Sequence, residues 1–178
     1  MADFVRRVVT GHDEKGNSIV LSDGPAPVRF KAPGSRFTEI WNTAEAPAPI
    51  GAVERTEPTE RRLSLHQDKG GTVIRFVDFE PPAPGGHGLM HRTRSIDYGI
   101  LLEGEITLVL SDGLEVPISA GDVVVQRGTD HAWANRSNRV ARMAFILVDG
   151  AFDPELDARI SKDTLLNDLA DNVQRVAE

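Results

Sequence analysis

Two stretches of this chain concentrate side chains that can hold a metal or move a proton. The first, GGHGLMHRTRSIDYGILLEGE, runs from Gly85 to Glu105; the second, GDVVVQRGTDHAWAN, runs from Gly121 to Asn135. His91 and Thr93 are two residues apart, so on an extended strand both face the same way. Asp97 is six residues beyond His91 and keeps that parity if the strand carries no bulge. His131 belongs to a separate strand and closes the set. Two imidazoles and one carboxylate make a facial triad that leaves positions open for substrate or oxygen. Such a donor set suits one divalent metal: Fe, Mn, Zn or Ni. Thr93 contributes a hydroxyl, holds a metal-bound water, or only widens the pocket. His87, after two glycines, is a substitute ligand presented from a loop. The chain has no cysteine, which excludes thiolate metal sites, disulfides and a Cys nucleophile.

Around this set, Arg92, Arg94, Thr93 and Trp133 are the candidate substrate-binding residues, and Arg127 and Tyr98 the candidate catalytic ones. Arginine matches a carboxylate with two parallel N–H donors, so an arginine beside the pocket points to an acidic small molecule. Arg127 either anchors such an anion or pairs with Asp130 or Asp122. Asp97 has an alternative too: its carboxylate can turn toward Arg94 or a backbone amide. Trp133 shares the parity of His131 and either walls the pocket or belongs to ordinary core. His12 and His66 lie in polar, turn-like text and read as solvated. The glycine runs at Gly70–Gly71 and Gly85–Gly88 lack the lysine and following helix of a phosphate loop. No serine sits in a nucleophile elbow.

The elements that must position these residues are strands. FVRRVV and SIVLSDG are joined by the turn formers GHDEKGN, and TVIRFVDF alternates until EPPAPGG stops it. Residues 31–60 are broken by Pro and Gly and read as an irregular arm with one short strand near Thr38–Trp41. YGILLEGEITLVL is two strands hinged at Glu103–Gly104. Asp112–Gly113 tips a hairpin, and ARMAFILV is a buried strand. Seven or more short strands with turns every 8–12 residues predict a barrel or sandwich. After Phe152 the period changes. Asp153 caps a helix that begins at Pro154. Leu165, Leu166, Leu169, Val173 and Val176 mark the apolar face of a second helix.

The two histidine segments resemble the paired signatures of the cupins, small β-barrels that often carry one metal in the mouth. Gly85, His91, Asp97 and Gly104 fall on the spacings of the first signature, with Thr93 where a second histidine is expected and Asp97 in place of a glutamate. Gly128, His131 and Asn135 fall on the second, with Gln126 in place of a proline. The resemblance implies an all-β, cupin-type double-stranded β-helix (jelly-roll) barrel with an N-terminal β arm and C-terminal helices. It divides one domain, 1–178, into an N-terminal part (1–69), a barrel core (70–150) and a helical tail (151–178). It implies His91, Asp97 and His131 as metal ligands and permits lyase, decarboxylase, dehydratase or dioxygenase chemistry. A metal-free or metal-poor cupin that binds a small molecule as sensor or carrier is the alternative, favoured by Thr93. Cupins also pair through their sheets, which together with an unpaired FVRRVV edge predicts a homodimer.

The bulk composition agrees with a globular catalyst or binder. The chain has 178 residues, enough for one sizeable core; 40% are hydrophobic and 26% charged, with a net charge of −7. An acidic chain without a basic face is no nucleic-acid binder. Neither an apolar span nor a signal sequence is visible, so a cytoplasmic location away from membranes is expected. The expected activity is metal-dependent chemistry on a small, oxygenated carboxylic acid.

Overall fold

The computed structural model describes residues 4–53, 56–61, 63–81, 88–165 and 174–176. Among these residues, twelve strands form three sheets. β1 (Arg6–His12) and β2 (Ser18–Pro25) make a two-stranded N-terminal hairpin. β3 (Val28–Ala32), β4 (Ser35–Thr43), β5 (Thr72–Phe79), β6 (Ser95–Glu103), β9 (Val123–Arg127), β11 (Ala141–Asp149) and β12 (Gln174–Arg175) make a seven-stranded sheet in the order β12-β3-β4-β5-β11-β6-β9. β7 (Glu105–Leu110), β8 (Glu115–Ser119) and β10 (His131–Ala134) make a third sheet in the order β10-β7-β8.

The sheets face one another across a core that both supply. Leu101, Met143 and Ala141 from the large sheet meet Ile106, Leu108, Ile118 and Trp133 from the small one. Each fully buried large side chain in such a layer contributes roughly 1.5–3 kcal/mol. A second cluster, Val28, Phe30, Phe37, Leu63 and Val77, extends the core under the N-terminal strands. The chain passes from one sheet to the other at Gly104, whose φ of +82° is easily reached only without a side chain. A Cβ there would lie 2.8 Å from the Val140 carbonyl oxygen. This is the hinge expected at Glu103–Gly104. The expected hairpin tip has Asp112 and Gly113 both at positive φ.

Two expectations change. The short strand near Thr38–Trp41 is the nine-residue β4, paired on both sides, and lies inside the sheet. β1, which holds most of FVRRVV, pairs with β2 on one side, and among the described residues no strand pairs with its other side. The helix α1 (Pro154–Arg159) forms as expected, with the Asp153 side chain accepting from the Glu155 amide. The second helix does not hold at its two ends. Leu165 bridges to Arg92, and Gln174–Arg175 pairs with β3; Leu166, Leu169 and Val173 lie outside the described residues. The edge of β3 offers ladder hydrogen bonds that a helix would leave unpaired, and Arg175 adds an ion pair to Glu60 (2.7 Å).

Candidate active site

His91 and His131 form a reciprocal backbone pair. Each amide donates to the other's carbonyl at 2.9 Å. That pairing sets the imidazoles side by side, with ring centroids 4.3 Å apart and planes inclined at 49°. Each Nδ1 faces a backbone carbonyl, that of Leu89 at 2.9 Å for His91 and that of Thr129 at 3.0 Å for His131. A carbonyl only accepts, so each Nδ1 carries the proton and each Nε2 keeps its lone pair. Burial lowers both pKa values. That of His131 falls to about 3, driven by burial and then by the neighbouring His91. Both rings are neutral at neutral pH, the form that coordinates metal.

The two rings open on a cavity of about 100 Å³ in the barrel interior. Thr93 and Asp97 line it with them, as parity required. Trp133, Phe79, Phe145, Val77 and Leu147 supply apolar walls. Trp133 both walls the cavity and packs the core, standing edge-on to His131 (5.9 Å) and Phe145 (5.5 Å). Thr93 is buried; Ser95 Oγ donates to its hydroxyl at 2.8 Å, and that hydroxyl reaches Asp97 Oδ2 at 3.5 Å. Burial pushes the Asp97 carboxyl up to about 6, against the opposing pull of Ser95, the Arg75 charge and Thr93. Its Oδ1 is buried without a hydrogen bond.

Around His131 the turn is held by its own side chains. Thr129 Oγ1 donates to Gln126 Oε1 at 2.6 Å. Gly128 has φ of +61°, and a Cβ there would come 2.5 Å from the Phe152 ring. Asn135 is buried and makes four hydrogen bonds: it donates to the carbonyls of Phe79 (2.9 Å) and Arg139 (2.8 Å), and accepts from Ser137 N (3.0 Å) and Oγ (2.8 Å). Gln126, Gly128 and Asn135 of the second signature therefore build the frame.

Comparison with known proteins gives the family. Residues 80–148 match the family described as "Cupin domain". "Phomopsin biosynthesis cluster protein C'" of Diaporthe leptostromiformis is 37% identical over 86% of this chain and 82% of its own length. The chain belongs to the cupins. Another cupin relative, "Cupin-domain-containing oxidoreductase fogC" of Aspergillus ruber (strain CBS 135680), is 36% identical over 82% of this chain and 72% of its own. "Oryzines biosynthesis cluster protein J" of Aspergillus oryzae (strain ATCC 42149 / RIB 40) is 32% identical over 82% of this chain and 83% of its own.

The arginine and tyrosine candidates do not join the cupin cavity. Tyr98 is 42% exposed on the outer face of β6, because it alternates with Asp97. Arg127 is exposed on β9. Arg92 is buried but turned away from the imidazoles. Its Nε faces Asp130 (3.4 Å), and its Nη2 donates to Thr164 Oγ1 (3.0 Å) and to the Ser161 carbonyl. Arg94 sits over Phe152 in an outer groove of about 770 Å³, near Asp157 (3.9 Å). His66 lines that groove as well and is half-buried, not freely solvated. His87 and Gly85 lie outside the described residues.

The residue types fit a divalent metal at two positions, through the paired Nε2 atoms. Among the described residues, no third histidine or carboxylate groups with them closely enough to complete a preformed shell. Among the described residues, Asp97 is the one carboxylate lining the cavity. Two inward charges on the large sheet, Arg75 and Glu39, were not among the candidates. The available signal was parity: Arg75 shares the inward side of β5 with Val73 and Val77, and Glu39 that of β4 with Phe37.

Proposed function

We propose that this chain is a metal-dependent cupin enzyme acting on a small, oxygenated organic acid within the His91–His131 cavity. The carrying observation is the imidazole pair: two neutral rings, both fixed through Nδ1 and both free at Nε2, in a cavity that Asp97, whose Oδ1 has no hydrogen-bond partner, also lines. Rings held this way are oriented ligands, since the Nδ1–H bond sets tautomer and direction together. His91 and His131 would hold the metal with Asp97 as third donor, and the metal would supply Lewis-acid polarisation of a substrate oxygen. The protein's own share is to bind and orient. Trp133, Phe79 and Phe145 shield the reacting end from water, which strengthens every charge interaction inside. Relatives named as oxidoreductases favour redox chemistry over lyase chemistry.

Elemental analysis of protein purified without added metal tests this reading. Wild type is expected to carry one metal per chain, about the same in Thr93→Ala because a neutral hydroxyl is a weak ligand. His91→Ala and His131→Ala are expected to lose it. Wild-type metal content in both histidine variants refutes the reading. One observation favours a metal-poor binding module instead: Thr93 stands where a third nitrogen ligand is expected, its hydroxyl already engaged by Ser95. That module would bind its small molecule undiminished after chelation.

A further inference from the structure

Beside the imidazoles lies a cluster of charge that no metal ligand accounts for. Glu39 on β4 and Arg75 on β5 are cross-strand partners, and both side chains point inward. They are 1% and 3% exposed, respectively. Arg75 Nε lies 3.0 Å from Glu39 Oε1, off the line required for a hydrogen bond. Arg61 Nη2 approaches the other oxygen of Glu39 at 3.7 Å. Among the described residues, one carboxylate thus serves two guanidiniums. Arg75 Nε and Nη2 are both buried without a hydrogen bond, while the arginine side chain lines the cavity with Asp97, His91 and His131.

A guanidinium keeps its proton in a protein, so this cluster cannot shed its positive charge. Leaving N–H donors of a buried charge unmet is costly, and an incoming anion with two oxygens meets them in parallel. The cavity volume, about 100 Å³, lies well below the roughly 300–1,000 Å³ of drug-sized pockets, so the ligand is short. Arg92 is turned away toward Asp130, Ser161 and Thr164, and Arg94 and Arg127 are outside.

We propose that Arg75 is the substrate-anchoring residue of this cavity, binding the carboxylate of a short-chain organic acid whose other end lies against the His91–His131 pair. The substrate role rests on the enzymatic reading above; the anion site itself does not need the metal.

The test uses the full chain after chelation, with propionate and its neutral analogue propionamide as probes. The chain has two tryptophans. Trp133 lines the cavity, while Trp41 lies under Arg7 at 5.6 Å and serves as internal control. Propionate is expected to shift the indole N–H resonance of Trp133 and not that of Trp41. Propionamide is expected to bind at least about tenfold more weakly, lacking the charge that makes such a pair strong. Arg75→Gln is expected to lose at least about tenfold in propionate affinity and Arg75→Lys less, since lysine keeps charge but not the fork. Equal binding of the two probes overturns the proposal. So does wild-type propionate affinity in Arg75→Gln, or propionate binding only after metal is restored. If Arg75→Gln does not fold, the wild-type probe ratio and Arg75→Lys decide. Propionate binding by a protein that never takes up metal removes the enzymatic reading and leaves the anion site standing.

Discussion

Asp97 offers a test in which stability, not activity, reports the electrostatics of the site. Burial raises its carboxyl from 3.8 to about 6. The folded protein therefore holds this proton more tightly than the unfolded chain does. Stability is fully present below the unfolded value and declines as pH rises through the folded one. A shift of about two units corresponds to roughly 3 kcal/mol, at ~1.36 kcal/mol per unit. Metal-free wild type should carry that cost at about pH 8 and almost none at about pH 4. Asp97→Asn keeps the shape and removes the ionisation. In chelated protein the substitution should be near neutral at about pH 4 and stabilising by about 3 kcal/mol at about pH 8. For a chain of this size that is a gain of roughly 6–12 °C in Tm. Chelation matters, because a bound cation favours the ionised form. Thermal melts of both proteins across the pH range measure it. A Tm difference that does not grow with pH, or that falls, refutes the reasoning.

The remaining predictions concern the frame. Arg7 grips Glu57 through two hydrogen bonds (2.9 and 2.7 Å) and holds its carboxyl down at about 2, so the pair contributes stability above pH ~4.5 that disappears as pH falls through ~2. Arg7→Ala should destabilise the protein in denaturant melts at neutral pH, and the deficit should shrink in strong acid. Arg127→Ala and Tyr98→Phe should leave metal content and probe binding unchanged and stability within about 0.5 kcal/mol, as expected of exposed positions. Loss of metal in either would mean that the outer face of the sheet reaches the site. Asn135→Ala takes the donor from the part-buried carbonyls of Phe79 and Arg139 and should cost about 1–3 kcal/mol in urea unfolding; a cost below about 0.5 kcal/mol would count against its role as the frame of the His131 turn.

Parity decided what could be read in the sequence. His91, Thr93, Asp97 and His131 were placed on one face because strand side chains alternate, and the cavity contains all four. The same rule applied strictly would have turned Tyr98 outward and set Arg92 and Arg94 opposite His91 and Thr93. Proximity to a motif pulled these residues into the site instead. Arg75 and Glu39 escaped for the opposite reason, since a charge within an apolar-looking strand reads first as surface. Their burial comes from pairing between β4 and β5, whose register is a tertiary fact. The edge pairing of Gln174–Arg175 was also beyond periodicity, because helix and strand patterns are both met by such a short segment.

The grip of Arg92 on residues from 161 to 165 sets an order in time. Its partners Ser161 and Thr164 follow it by 69 and 72 residues along the chain. At the ribosome's rate of ~5–20 residues per second, they are made roughly 4–14 s after it. His131 and the strand that carries it are made within that interval, ahead of Ser161 and Thr164. The imidazole pair therefore has all its own residues before the segment that braces Arg92 is made, and the outer support of the cavity is the last of these parts to be added.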